Sequence, residues 1–122
     1  MVFLAAMALA AVPSVMAPSS DADVCMRAAA AVTQSRATDI DRAGCTCTVD
    51  QLKKLLSPAD YDLHEKMEEI LAFGADEKSF NKQLSDVMLK RGMNQADADA
   101  FLSRARMAEA RAKDACAPVP LQ

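Results

Sequence analysis

The sequence has no tryptophan, one tyrosine and four phenylalanines, so few bulky side chains are available to fill a core. It also has only three glycines and five prolines, which leaves few obligatory turns. Hydrophobic residues make up 52% of the 122 residues, and many of them are alanine. This composition favours helix over sheet and predicts an all-α protein, a single domain whose helices approach closely around a thin core.

Catalytic patterns are also scarce. The chain has a single histidine, His64, which limits triad schemes, and it has no glycine-rich phosphate loop. Its serines lack the context of a nucleophile elbow. The pairs Asp60 with His64 and Glu65 with Glu69 have the i, i+4 spacing of ordinary helix composition. The sequence therefore predicts a protein that is not an enzyme and has no catalytic residue.

The known metal-ligand patterns are incomplete. A closed zinc site needs four ligands, but His64 has no second histidine or cysteine within its predicted helix. Met67 follows three residues later, yet methionines at helical spacing are more often core residues than copper(I) ligands. Residues 39–44 resemble the opening of a calcium-binding EF-hand loop, but Ala43 and Cys47 occupy two of the ligand positions. The sequence therefore predicts no metal and no cofactor.

The charges are unevenly distributed. The net charge of -3 argues against a nucleic-acid binder, which needs a dense basic surface. Residues 39–77 contain ten acidic and four basic residues, whereas residues 78–122 contain five acidic and eight basic residues. Such regions could pair within one molecule, between protomers of a homo-oligomer or with a partner protein. The candidate partner surface consists of basic residues predicted to be exposed on the last helix: Arg104, Arg106, Arg111 and Lys113.

Residues 1–20 carry no charge, and residues 2–12 form an apolar run typical of a secretory signal. We expect cleavage near residues 17–22. No lysine or arginine precedes the apolar run, so Met1 could be an internal start in a longer reading frame, or the segment could stay as an anchor. Pro13 and Pro18 argue against an anchor, which needs about 20 apolar residues. We therefore expect a periplasmic or secreted protein with no stable membrane span, and the alanine-rich segment favours the bacterial periplasm.

Four cysteines after an export segment predict two disulfides formed in an oxidising compartment. A bond between Cys45 and Cys47 would close a very small ring, so we expect two long-range bonds. The pairing is either Cys25 with Cys45 and Cys47 with Cys116, or Cys25 with Cys47 and Cys45 with Cys116. A redox motif is more usually Cys-X-X-Cys in an α/β protein, so these disulfides are predicted to be structural.

Helical periodicity predicts a compact array of four to five short helices in one domain at 21–117, followed by a loose tail at 118–122. We expect helices at about 21–37, 48–56, 58–73, 77–91 and 95–116. On the first helix, one face is expected to be buried: Cys25, Ala28, Ala29 and Val32.

Capping residues mark the ends of these helices. A turn containing Gly44 should lead to a capping box of Thr48 and Gln51 at the start of the second helix. Ser57 should cap the third helix, with a proline at its first position. Asn94 should cap the fifth. Glycines are expected to end the third and fourth helices in the left-handed conformation: Gly74 and Gly92.

These observations predict an exported, non-catalytic protein that acts as a binding or accessory subunit of an envelope protein complex. A periplasmic acid or stress chaperone is a second hypothesis, in which protonation of carboxylates with a depressed pKa loosens the fold at low pH. An inhibitor or immunity protein is a third. All three require a protein partner, whose identity the sequence does not indicate.

Overall fold

The computed structural model describes residues 20–36 and 40–117, and this part of the chain contains five α-helices and no strand. The helices are α1 (Ser20–Thr33), α2 (Arg42–Leu55), α3 (Pro58–Ala72), α4 (Glu77–Lys90) and α5 (Gln95–Ala115). The all-α prediction is confirmed. The predicted export segment, apart from residue 20, and the predicted tail at 118–122 lie outside the described residues.

The predicted caps of α3 and α5 are present. Ser57 Oγ accepts a hydrogen bond from the Asp60 backbone N–H at 3.1 Å, and Pro58 occupies the first helical position. Asn94 Oδ1 accepts from the Asp97 N–H at 2.8 Å, and Asp97 Oδ2 accepts from the Asn94 N–H at 3.0 Å, which completes a capping box. The expected left-handed glycines follow α3 and α4, with φ of 80° at Gly74 and 73° at Gly92.

The predicted start of α2 was wrong. Asp41 is the N-cap, and its carboxylate accepts a hydrogen bond from the Ala43 N–H at 3.1 Å. Thr48 lies inside the helix, where its hydroxyl donates to the Gly44 carbonyl at 2.9 Å instead of capping a helix. Gly44 is helical and does not form a turn. The helix begins earlier than predicted because an upstream cap combines with a buried face at helical spacing: Cys45, Val49 and Leu52.

The end of α1 also differs from the prediction, which extended it to residue 37. The helix ends at Thr33, and Gln34 adopts a positive φ of 56°. The Thr33 hydroxyl donates to the Ala29 carbonyl at 2.8 Å. Of the predicted buried face, Cys25 and Ala28 are buried, Ala29 is half-buried and Val32 is exposed; Ala30 is buried as well.

The two disulfides are Cys25–Cys45 and Cys47–Cys116, each with a Cα–Cα distance of 5.8 Å. No cysteine among the described residues is free. Cys45 and Cys47 are two positions apart on α2, so their side chains leave the helix about 200° apart. One bond therefore joins α2 to α1, and the other joins α2 to the end of α5. The first of the two predicted pairings is the one observed.

The core lies on both sides of α3. α1 packs against α2 and α3, α5 packs against α2, and α4 packs against α3. The largest cluster lies between α3, α4 and α5 and includes Phe101, which has no exposed surface. A second cluster joins α2 to α5 through leucine and alanine side chains: Leu52, Leu56, Ala108 and Ala112. Within 20–36 and 40–117, no helix has the length and apolarity needed to cross a membrane.

Candidate functional site

A surface groove of about 520 Å³ lies where the end of α2 and the start of α3 meet α5; we call it the α5 groove. Two of its lining residues, Leu56 and Ala108, are buried core residues. Two others, Leu55 and Met107, are large apolar side chains that remain exposed to solvent. The polar part of the lining consists of Ser57, Asp60, Arg104 and Arg111. The groove thus combines an apolar surface with two guanidinium groups.

The four basic residues predicted as a partner surface lie on two sides of α5. Arg104 and Arg111 are seven positions apart, and both line the α5 groove. Arg106 and Lys113 are also seven positions apart, but they lie about 160° around the helix from the first pair. Arg104 donates from Nε to Asp60 Oδ2 at 2.6 Å and from Nη2 to Oδ1 at 3.0 Å. In the described part of the chain, Arg111 has no hydrogen-bonding or ion-pair partner.

A second candidate site lies inside the protein, around His64 of α3. The His64 side chain is only 2% exposed, and its Nε2 atom is 3.0 Å from Oε2 of Glu109 on α5. The other ring nitrogen, Nδ1, is 3.5 Å from Glu68 Oε1 but has no hydrogen-bonding partner among the described residues. In the neutral imidazole, a proton on Nε2 lets this nitrogen donate to Glu109, and the Nδ1 lone pair then faces Glu68.

Glu65 adds a buried carboxylate at this place. Glu65 is 8% exposed, and its Oε1 atom is buried without a hydrogen-bonding partner in the described part of the chain. One ligand atom from each of His64, Glu65 and Glu68 can be chosen so that all three lie within 4.8 Å of one another. We call these three residues the His64 cluster. Nearby, the Tyr61 hydroxyl donates to Asp21 Oδ2 on α1 at 2.9 Å.

The surroundings of the His64 cluster favour protonation. Burial, followed by the negative charges of Glu68 and Asp21, raises the pKa of Glu65 to about 7. Burial also raises the pKa of Glu68. Burial by itself lowers the pKa of His64, but the hydrogen bond to Glu109 and the adjacent carboxylates outweigh it, so the net shift in the His64 pKa is upward.

These pKa shifts predict that the folded state loses stability as the pH rises from about 5 to 8. A carboxyl group whose folded pKa lies above its unfolded value contributes its full stability below the unfolded pKa. This contribution is lost as the pH rises through the folded pKa, which for Glu65 means between 4.5 and about 7. The raised pKa of His64 acts in the same direction, because its contribution is lost as the pH rises through the folded value. Urea unfolding with a chelator present should show that the free energy of unfolding declines as the pH rises. The slope should be at most about 1.4 kcal/mol per pH unit for each additional proton that the folded state binds.

A matched pair of variants checks the origin of this slope. Glu65→Gln should flatten the pH dependence, because the uncharged amide has no proton to lose. Glu69→Gln should leave it unchanged, since Glu69 lies on the same helix but pairs with Lys66 at 3.5 Å. A wild-type protein whose stability stays constant or increases across this pH range would contradict the prediction.

His64 is conspicuous in the sequence as the sole histidine, but the sequence assigns no function to the carboxylates around it. Glu65 and Glu69 have the spacing of ordinary helix composition, and Glu109 lies 45 positions from His64. Burial of these groups depends on α1 and α5 packing against α3, which periodicity within α3 does not reveal. The one local indication was an amphipathic helix with a sole histidine followed directly by an acid.

The fold and the two candidate sites define a class: a small all-α protein with two disulfides, an arginine-lined surface groove and a buried cluster of histidine and carboxylates. Comparisons with protein-family models, with curated proteins and with solved structures found no match for this chain. A function must therefore be argued from the chemistry of these sites.

Proposed function

We propose that this protein is an exported, non-catalytic binding or accessory subunit of a bacterial envelope complex, and that it binds its partner protein through the α5 groove. The observation that supports this proposal is the groove itself, where exposed Leu55 and Met107 lie beside Arg111, whose guanidinium has no partner within 20–36 and 40–117. The two disulfides support an oxidising compartment, since such bonds rarely persist in a reducing cytosol.

The lining of the groove indicates the chemistry of the bound segment. Methionine is flexible and polarisable, so Met107 can adapt to a large apolar side chain. A guanidinium group binds a carboxylate through two parallel hydrogen bonds. Arg104 already uses this geometry with Asp60, which leaves Arg111 to bind the partner. We therefore propose that the occupant is a protein segment with a large apolar residue next to an aspartate or glutamate.

The charge of α5 supports an acidic occupant. Residues 104–113 contain four basic residues and one acidic residue, a local charge of +3 in a chain whose net charge is -3. A local positive region on an acidic protein orients an approaching acidic segment and makes binding sensitive to salt. Association through the α5 groove should therefore weaken as the ionic strength increases.

Selection from a displayed library of random peptides tests the chemistry of the groove. The disulfide-bonded protein should enrich peptides in which a large apolar residue is adjacent to an acid. Arg111→Glu should weaken binding of the selected peptides by at least about tenfold, which corresponds to about 1.4 kcal/mol. Arg106→Glu makes the same charge change on the other side of α5 and should have little effect.

Two results would contradict the proposal: no enrichment of apolar-acidic peptides, or equal losses from Arg111→Glu and Arg106→Glu.

A separate experiment identifies the partner: a photo-crosslinking residue at position 107 should join the protein to its partner in an intact envelope. Cross-linking that joins only two copies of this chain would replace the partner proposal with a homo-oligomer.

The other two hypotheses differ in what they require. An acid chaperone of the expected kind needs carboxylates with a depressed pKa, but burial raises the pKa of both Glu65 and Glu68. Acidification therefore stabilises the His64 cluster and does not open it. An inhibitor or immunity protein would use the same groove, and its cross-linked partner would be a toxic enzyme.

A further inference from the structure

We propose that His64, Glu65 and Glu68 bind one divalent first-row transition-metal ion, with Zn²⁺ as the reference ion. The main evidence for this site is that a ring nitrogen and two carboxylate oxygens lie within 4.8 Å of one another inside the protein. This site is separate from the α5 groove and does not depend on the function proposed for that groove.

The orientation of His64 matches that of a metal ligand. A histidine that binds a metal through one nitrogen commonly donates its other N–H to a carboxylate, which fixes the tautomer and the ring orientation. Here Glu109 accepts from Nε2 at 3.0 Å, so Nδ1 is the nitrogen with a free lone pair. Nδ1 faces Glu68 Oε1 at 3.5 Å. Glu109 is therefore a positioning residue from α5, and the ligands themselves come from α3.

Two buried polar atoms of the cluster lack a hydrogen-bonding partner among the described residues. Nδ1 belongs to a residue that is 2% exposed, and Oε1 of Glu65 belongs to a residue that is 8% exposed. Neither atom has a hydrogen-bonding partner in the described part of the chain. Native proteins leave few buried polar atoms unpaired, and each such atom calls for an explanation such as an ion. A cation bound by His64 and Glu65 is one such explanation.

The charge of the cluster also calls for a cation. Glu65 and Glu68 lie in one turn of α3, and no lysine or arginine among the described residues forms an ion pair with either carboxylate. Buried carboxylates without a positive partner are strongly unfavourable in the ionised state. A divalent ion neutralises both carboxylates at once and removes the repulsion between them.

The donor set selects the type of metal. One imidazole nitrogen with two carboxylate oxygens suits Zn²⁺ and related divalent ions, whereas Ca²⁺ and Mg²⁺ favour oxygen ligands alone and copper(I) favours sulfur. Zinc ligands at about 2.1 Å lie about 3.4 Å apart in a tetrahedron, so small rotations of the glutamate side chains would close the site. The Glu68 side chain is 18% exposed, which gives the ion a route from solvent and leaves room for a bound water.

Direct binding to the disulfide-bonded protein, prepared without an affinity tag, tests the site. Calorimetric titration with Zn²⁺ should give one ion per chain. Because the chain has a single histidine, the imidazole ¹⁵N spectrum reports on His64 alone. We expect the Nδ1 resonance to shift on addition of Zn²⁺ while Nε2 keeps its proton.

Conservative variants separate binding from folding. Glu65→Gln and Glu68→Gln should each weaken Zn²⁺ affinity by at least about tenfold, and Glu109→Gln should weaken it by about 10- to 100-fold through the orientation of His64. Glu69→Gln, on the same helix and outside the cluster, should bind like wild type. Without metal and above about pH 7, Glu65→Gln should raise the thermal unfolding midpoint, because the amide replaces an ionised carboxylate; it should also abolish the further rise that Zn²⁺ causes in wild type.

These opposite effects of one substitution distinguish a metal site from a purely structural cluster. Zn²⁺ binding that persists unchanged in both Glu65→Gln and Glu68→Gln would place the ion elsewhere on the protein and overturn the proposal. So would a titration that leaves the Nδ1 resonance of the folded wild type unchanged.

Discussion

Replacing Cys47 and Cys116 together with serine is expected to lower the free energy of unfolding by about 4 kcal/mol. This disulfide joins residues 69 positions apart, so its loss gives the denatured chain a large gain in conformational entropy. The same bond holds the end of α5 against α2. Urea unfolding of the double variant beside the wild-type protein measures the loss.

The second disulfide provides a matched control. Cys25 and Cys45 are 20 positions apart, so their replacement with serine is expected to cost about 3 kcal/mol. Both double variants lose two cysteines and one covalent link. They differ in the length of the loop that opens and in burial, because Cys25 and Cys45 belong to a buried cluster whereas Cys47 and Cys116 are half-buried. The same unfolding measurement on the reduced proteins gives the packing loss of each variant; a larger remaining loss for the shorter loop would contradict the explanation from loop length.

Phe101→Ala is expected to lower the free energy of unfolding by about 3 to 5 kcal/mol. Phe101 has no exposed surface and belongs to the largest core cluster, together with Leu63, Ile70 and Leu84. Phe101 packs among leucine, isoleucine and methionine side chains of α3 and α4, and their partial relaxation sets where in this range the loss falls. Equilibrium unfolding in urea measures the change.

Phe73→Ala is the control for this substitution, because it removes the same atoms from a surface position. Phe73 follows α3 and is 82% exposed. We expect a change within about 0.5 kcal/mol. Similar losses of stability from the two alanine variants would contradict the burial of Phe101 in the largest core cluster.

Features that depend on neighbouring residues were predictable from the sequence. Ser57 and Asn94 cap α3 and α5 as expected, since a cap requires only a side-chain oxygen within three residues of an amide. Gly74 ends α3 in the left-handed conformation for an equally local reason. Each of these interactions spans a few positions, and distant parts of the chain do not alter it.

The start of α2 shows where local signals competed. The sequence predicts a cap at Thr48, where Gln51 completes the capping-box pattern, whereas the structure has the cap at Asp41. Packing favours the earlier start of the helix, because Cys45 is buried on the same face as Val49 and Leu52. A helix that began at Thr48 would have excluded Cys45 from this face.

The candidate sites required tertiary structure. Four basic residues on α5 were predicted as one partner surface, yet only Arg104 and Arg111 line the same groove. The His64 cluster depends on Glu109, which α5 brings to His64 from 45 positions away. Spacing within one helix gives the face on which a residue lies, but it does not give the element that packs there.

α2 is joined covalently to both ends of the fold, to α1 through Cys45 and to the end of α5 through Cys47. The most direct test is to isolate the protein from its native compartment, block free thiols without reduction and map the cross-linked peptides by mass spectrometry. Backbone fragmentation between Cys45 and Cys47 assigns each partner. We predict links from Cys25 to Cys45 and from Cys47 to Cys116, with no blocked cysteine. Blocked thiols, or a link from Cys25 to Cys47, would contradict this account.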